Sequence, residues 1–153
     1  MSSTQAAGLK VEKTIVVEAP QEHAWAVFTE RIGSWWPLRT HSIGAERAET
    51  VAIEPRVGGR LVETIQGGDE AVWGNVLVWE PPTRLVLTWH PTSPPELATE
   101  LEVRFVAEGE RRTRVELEHR GWERLGDRAA TSRDNYDSGW PPVLDHFVDA
   151  ARV

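Results

Sequence analysis

Histidine is the side chain in this sequence best suited to moving protons near neutral pH. No two histidines have the spacing of a metal-ligand pair; they are His23, His41, His90, His119 and His146. We therefore predict no metal site and no cofactor. His119 is the exception, because the alternating strand before it places it on an inward face. It is the candidate catalytic residue, as an acid-base group or as a polar group that orients a ligand. The alternative is a buried histidine bonded to the backbone.

Glu63 is a second titratable candidate, because it shares the parity of the apolar residues in a predicted strand over 60–65. An inward carboxylate is costly unless it is paired. This parity therefore predicts a bound ligand or a charged partner such as Arg60 or Arg56. The alternative is that Val62 marks the inner face and Glu63 is solvated.

Tryptophan is unusually abundant, with eight residues against three phenylalanines and one tyrosine. Each indole buries a large apolar area and carries an N–H group that needs a partner, so several tryptophans are expected at a pocket wall. We predict that an apolar small molecule binds between a sheet and the last helix. The predicted ligand-binding residues are Trp36, Glu63, Trp73, Leu77, Trp89, His119, Trp140, Leu144 and Phe147.

Composition excludes several other classes of function. The chain has no cysteine, which removes disulfides, thiolate metal sites and a cysteine nucleophile. A formal net charge of −7 argues against a nucleic-acid partner. Gly58-Gly59 precedes a strand rather than a helix, so it is no phosphate cradle. No apolar stretch is long enough to span a membrane and no secretion signal is present, so we expect a cytoplasmic protein.

The C-terminal part of the chain predicts a long helix. Apolar residues recur at three- and four-residue steps from Trp140 to Ala151, which is one face of an amphipathic helix. Asp137 or Ser138 is the predicted cap, with Pro141-Pro142 in the first turn. The preceding stretch, 122–135, predicts at most a short helix.

Strands fill most of the chain before that helix. A first strand over 10–18 leads into two short helical segments, and Trp35-Trp36 follows them. Further strands are predicted over 48–54, 60–65, 71–79 and 84–90, followed by two that alternate cleanly around 101–105 and 115–117. The strand over 71–79 is apolar on both faces, so the face that lines a pocket stays open.

These elements predict an α+β fold. A curved antiparallel sheet of about seven strands would wrap on the long C-terminal helix, with two short helices after the first strand. We expect a single domain over 10–153 after a flexible N-terminus, 1–9.

This order of elements is the helix-grip arrangement, and the chain resembles the START-like, polyketide-cyclase-like (SRPBCC) superfamily from Val11 to Ala151. It is most similar there to single-domain proteins that resemble the C-terminal part of the activator of the ninety-kilodalton heat-shock chaperone ATPase. The matching motifs are Ala19-Pro20, Ala24-Trp25, Phe28, Trp35-Trp36, Pro55 to Arg60, Gly74 to Leu77, Pro81-Pro82, Leu85, Thr88-Trp89, His119, Gly121-Trp122, Gly139-Trp140 and Leu144.

The resemblance implies a cavity between sheet and helix, in which members hold sterols, lipids, hormones, polyketides or other apolar molecules. Binding of a hydrophobic small molecule without catalysis is our first hypothesis, by a monomer or weak dimer. The second is a cyclase or aromatase in which His119 moves protons. The third is a chaperone-cofactor or protein-interaction role. The full activator carries a further N-terminal domain for which this chain leaves no room, which argues against direct chaperone activation.

Overall fold

An antiparallel sheet of seven strands forms the body of the protein, in the spatial order β1-β7-β6-β5-β4-β3-β2. The computed structural model describes residues 9–153. The strands are β1 Val11–Val17, β2 Ala48–Ile53, β3 Arg60–Ile65, β4 Glu70–Glu80, β5 Arg84–Trp89, β6 Thr99–Gly109 and β7 Arg112–Arg120. Of the predicted flexible segment 1–9, all but Leu9 lies outside the described residues.

Three helices pack on or beside this sheet. Two short ones, α1 Gln21–Thr29 and α2 Ile32–Trp35, follow β1, and the long α3 Ala129–Ala151 ends the fold. Short 3₁₀ turns precede β2, β6 and α3 over Ala45–Arg47, Pro95–Leu97 and Trp122–Arg128. The predicted α+β helix-grip fold is confirmed. No helix within residues 9–153 is long and apolar enough to cross a membrane.

The long helix begins earlier than its prolines suggest. Residues Pro141 and Pro142 were expected in the first turn, but α3 already begins at Ala129 and both prolines lie inside it. Each proline removes one helical hydrogen bond. Both are exposed, so water can reach this side of the helix. The predicted start at residue 137 or 138 is therefore wrong, because packing of the helix on either side of the prolines outweighs their cost.

Two β-bulges in β4 decide which of its side chains face inward. The pairing register shifts at Trp73 against β3 and at Leu77 against β5. A bulge adds one residue to one strand and breaks the alternation of faces. Trp73, Val76 and Trp79 therefore pack with the core at three-residue steps, whereas Leu77 is 43% exposed. The prediction that Leu77 lines the pocket is wrong for this reason.

The outer face of the sheet carries a network of ion pairs. Glu102 of β6 contacts Arg84, Arg104 and Arg120 within 3.1 Å or less. Burial alone would raise the pKa of Glu102, but hydrogen bonds from Arg84 and Arg120 lower it to about 2. The carboxylate therefore stays charged. Ion pairs, and not a second layer of helices or strands, cover this face of the sheet.

One end of the interior, between helix and sheet, is filled with aromatic rings. Phe147 of α3 packs against Phe28 of α1 and Trp35 of α2, with ring centroids 5.1 and 5.3 Å apart. Phe105 of β6 closes the cluster against Phe28 at 5.7 Å. All four side chains are buried, so this end is packed core.

Candidate functional site

The other end of the interior opens to the surface. A cleft of about 320 Å³ lies between α3, the sheet and the segment 36–43. This volume is at the lower end of the range for small-molecule pockets. The residues that line it are Trp36, Thr40, His41, Ser42, Ile43, Trp73, Trp89, Pro91, Thr92, Asn135, Tyr136, Gly139, Trp140 and Val143.

Four indoles pack against one another as a single cluster at the inner wall of this cleft, and the Trp36 and Trp89 centroids are 6.0 Å apart across it. Going round from Trp36 to Trp73, Trp89 and Trp140 and back to Trp36, the ring centroids are 5.3, 5.8, 5.5 and 5.9 Å apart. The rings are tilted or edge-on to their neighbours, the arrangement that aromatic pairs prefer. Side chains from α2's end, β4, β5 and α3 thus meet as one aromatic wall.

Each indole N–H in this cluster donates to an acceptor within the protein. The pairs are Trp36 to the His41 carbonyl at 2.7 Å, Trp73 to Glu63 Oε1 at 3.0 Å, Trp89 to the Tyr136 hydroxyl at 3.0 Å, and Trp140 to His119 Nδ1 at 3.1 Å. Because these donors are already bonded, the surface that the indoles present to the cleft is apolar, and it comes mainly from Trp36 and Trp89, since Trp73 and Trp140 are almost fully buried.

His119 connects Trp140 on α3 with Trp89 on β5 through hydrogen bonds. It is fully buried and does not line the cleft. Its Nδ1 accepts from Trp140, so Nε2 carries the proton and donates to Thr99 Oγ1 at 2.7 Å. The Thr99 hydroxyl in turn donates to the Trp89 carbonyl at 3.2 Å. His119 therefore ties the wall of α3 to that of β5.

Burial lowers the pKa of His119 to about 3, so the imidazole is neutral at physiological pH. Both ring nitrogens are engaged with protein groups. The expected inward position of His119 is present, but this geometry makes it a positioning residue rather than a group that meets a substrate.

Glu63 hydrogen-bonds to the backbone of the loop that carries Ile43 and Gly44, beside the cleft. The side chain is fully buried, and its two oxygens accept from the Ile43 amide at 2.9 Å, the Gly44 amide at 2.8 Å and the Trp73 indole. The expected arginine partner is absent among the described residues, because Arg60 pairs with Glu54 instead. The solvated alternative is also wrong. Three N–H donors stabilise the carboxylate that the strand parity turned inward.

Two further predicted ligand-binding residues lie outside the cleft. Leu144 and Phe147 are buried core side chains and do not line it. They share the apolar stripe of α3 with Trp140, but seven residues separate Phe147 from Trp140, which is roughly 10 Å along a helix axis. A helical stripe identifies the buried face, not the position along it where the packing stops.

Several residues of the cleft escaped the sequence prediction. Asn135 and Tyr136 were missed because α3 was expected to begin after them, and Gly139 was missed although it lies in the predicted first turn. A usable signal was present, since Tyr136, Trp140 and Val143 are spaced as one helical face. His41 and its neighbours lie in a loop, where no periodicity indicates a direction.

Comparison with known proteins gives the family. The sequence model of the family described as Activator of Hsp90 ATPase homolog 1-like protein matches residues 18–152. The chain belongs to this family. That membership confirms the predicted START-like (SRPBCC) superfamily. No curated protein sequence matches the chain.

Solved structures that are similar to this chain differ widely in their names. The anthrahydroquino-γ-pyrone synthase Txn09, solved in complex with SUM, is 39% identical, with 95% of this chain and 98% of that chain covered and a TM-score of 0.66. The self-sacrificing resistance protein CalC from Micromonospora echinospora is 30% identical, with 93% of each chain covered and a TM-score of 0.69. The Aha1 dimer from Colwellia psychrerythraea is 16% identical over 95% and 97%, with a TM-score of 0.67, and shows the fold alone.

The dependence of stability on pH should carry a signature of His119. Its folded pKa of about 3 lies below the ordinary 6.5, so between these values the unfolded chain binds a proton that the folded chain excludes. The free energy of unfolding therefore falls as pH drops through this window, by up to about 1.4 kcal/mol per pH unit. Urea denaturation measures the slope, which should be shallower in His119→Gln. Equal slopes in both proteins would contradict the assignment.

The segment that carries Ile43 and Gly44 should loosen when Glu63 becomes glutamine. A carboxamide has one accepting oxygen and one NH₂ donor, so at least one of the three N–H groups would meet another donor. We expect the Ile43 and Gly44 amides of Glu63→Gln to exchange with deuterium about tenfold faster or more. Glu70→Gln, an exposed carboxylate on the next strand, is the matched control. Unchanged protection in Glu63→Gln would argue against this anchoring role.

Proposed function

We propose that this chain binds a flat, apolar, aromatic small molecule in the tryptophan-lined cleft. The observation that carries the proposal is the cluster of four indoles whose N–H groups all donate to protein acceptors. Such walls offer π surface and little hydrogen bonding, which suits fused rings better than a sugar or a peptide.

The size of the cleft supports a ligand of about three fused rings or fewer. A cavity of about 150 Å³ already holds benzene in another protein, and this cleft has about 320 Å³. Its mouth carries exposed polar residues such as Thr92 and Asn135, which leaves room for a polar substituent to reach solvent.

The relatives support the same class of ligand. Txn09, named as a synthase of an anthrahydroquino-γ-pyrone, shares 39% of its residues with this chain over nearly the full length of both. A fused aromatic ring system of the anthraquinone type is therefore the first ligand class to test.

Gly139 offers a test that does not remove any wall of the cleft. It lies on α3 and lines the cleft, and a Cβ added there would meet no atom within 4 Å. Gly139→Leu should therefore fill the cleft. Because leucine is a better helix former than glycine, we expect the free energy of unfolding to stay equal or to rise by up to ~1 kcal/mol.

Affinity for anthraquinone-2-sulfonate, measured by tryptophan fluorescence and calorimetry, should fall at least about tenfold in Gly139→Leu. The matched control is Ser138→Leu, which places the same side chain on an exposed position of the same helix. Equal affinity in both variants and the parent protein would mean that the probe does not occupy the cleft.

A second candidate function is ring closure on a bound aromatic substrate, as in a cyclase. The 39% identity to a named synthase favours it. His41 lines the cleft and is the histidine there that could exchange a proton, since only its Nδ1 is engaged, with Thr40 Oγ1 at 2.7 Å. Its Nε2 has no hydrogen-bond partner within residues 9–153.

An ortho-hydroxyaryl alkynyl ketone tests this candidate. Addition of its phenol oxygen across the triple bond closes a γ-pyrone ring and needs only proton transfer. We expect the protein to speed formation of the cyclic product, followed by chromatography, and His41→Gln to lower that rate by about 10²-fold or more. A rate equal to that in buffer would leave ligand binding as the function. Chaperone contact and a weak dimer remain predictions from sequence.

A further inference from the structure

One hydroxyl in the cleft has a proton with no acceptor. Tyr136 Oη accepts from Trp89 Nε1 at 3.0 Å, and both residues line the cleft. No acceptor for the tyrosine's own proton lies within hydrogen-bonding distance among residues 9–153. A largely buried O–H normally has a partner, and leaving it without one costs free energy.

Most other polar groups of the cleft are already engaged or lie at its mouth; His41 keeps Nε2 free of partners among the described residues, but it lies on the loop 36–43. The four indole N–H groups donate to protein acceptors. Ser42 donates to the Leu38 carbonyl and accepts from the Ala45 amide. Thr92 and Asn135 are exposed. Within the described part of the chain, Tyr136 thus offers a free donor that is in direct hydrogen-bond contact with the indole cluster, through Trp89 Nε1 at 3.0 Å.

The position of the Tyr136 hydroxyl oxygen is fixed by the residues that pack around it. The ring of Tyr136 packs against His119 and Trp122, at centroid distances of 4.9 and 5.4 Å. The hydrogen bond from Trp89 holds the oxygen and polarises the O–H bond, which makes it a stronger donor. Burial also raises the pKa of Tyr136, although the bond from Trp89 opposes this, so the phenol keeps its proton at neutral pH.

We propose that Tyr136 is the residue that selects the ligand, by donating a hydrogen bond to a carbonyl or phenolic oxygen on the bound aromatic ring system. This inference rests on the proposed function and adds a chemical requirement to it. A hydrocarbon of the right shape fits the walls but leaves the Tyr136 proton without an acceptor, whereas a quinone satisfies it.

A matched pair of probes separates shape from hydrogen bonding. Anthraquinone-2-sulfonate and anthracene-2-sulfonate share three fused rings and one charge, but only the former has ring carbonyls. By calorimetry we expect the parent protein to bind the quinone about 3- to 10-fold more tightly than the hydrocarbon, the range of one hydrogen bond. In Tyr136→Phe the affinity for the quinone should fall by that factor, while affinity for the hydrocarbon stays within about twofold.

An NMR measurement on the parent protein tests the same contact in case Tyr136→Phe folds poorly. Tyr136 is the single tyrosine of the chain, so a ¹³Cζ-tyrosine label reports on it alone. Its resonance in the parent protein should shift when the quinone is added and much less when the hydrocarbon is added.

The outcomes distinguish the two proposals. Equal affinity for both probes, together with equal ¹³Cζ shifts, overturns the role of Tyr136 and leaves the binding function standing. Loss of both affinities alike in Tyr136→Phe also overturns it, because that result describes a structural residue. Failure of the parent protein to bind either probe overturns the proposed function and this inference with it.

Discussion

The cleft depends on one constraint, which is that a buried indole N–H must find an acceptor inside the protein. The acceptors for the four wall tryptophans come from separate parts of the chain: a loop carbonyl, a carboxylate on β3, a hydroxyl on α3 and an imidazole on β7. Each acceptor fixes the orientation of one ring. The hydrophobic effect favours packing of these large rings, and their centroids lie 6.0 Å or less from those of their neighbours. The hydrogen bonds set how each ring is oriented within that cluster.

The same constraint explains why the two most conspicuous titratable residues are structural. Glu63 is saturated by three N–H donors, and His119 uses both ring nitrogens on protein partners. A buried polar group that is fully bonded rigidifies its surroundings and has nothing left to offer a ligand. The proposed chemistry at the cleft therefore rests on groups with an unused donor or acceptor, among them Tyr136 and His41.

The two ends of the interior show how one helix serves both packing and recognition. Around Phe147 the apolar stripe of α3 meets α1 and α2, and their rings fill the gap. Around Trp140 the helix instead meets Trp36, at the end of α2, and the segment that follows it, and these residues line the cleft. The cleft thus lies where the short helices end. One face of α3 lines the cleft around Trp140 and packs in the core around Phe147.

The sequence by itself determined what depends on local pattern. The alternation in β6 and β7 predicted their faces and the inward position of His119, and the helical stripe predicted the buried face of α3. Periodicity did not reveal the bulges that turn Leu77 outward, because a bulge is set by pairing with neighbouring strands. Nor did it show that α3 continues through Pro141 and Pro142, since packing against the rest of the fold outweighs the local cost. Only the tertiary structure decided which polar groups form hydrogen bonds within the protein and which face the cleft. Those partners come together from positions distant in sequence, and no local pattern records which of them meet.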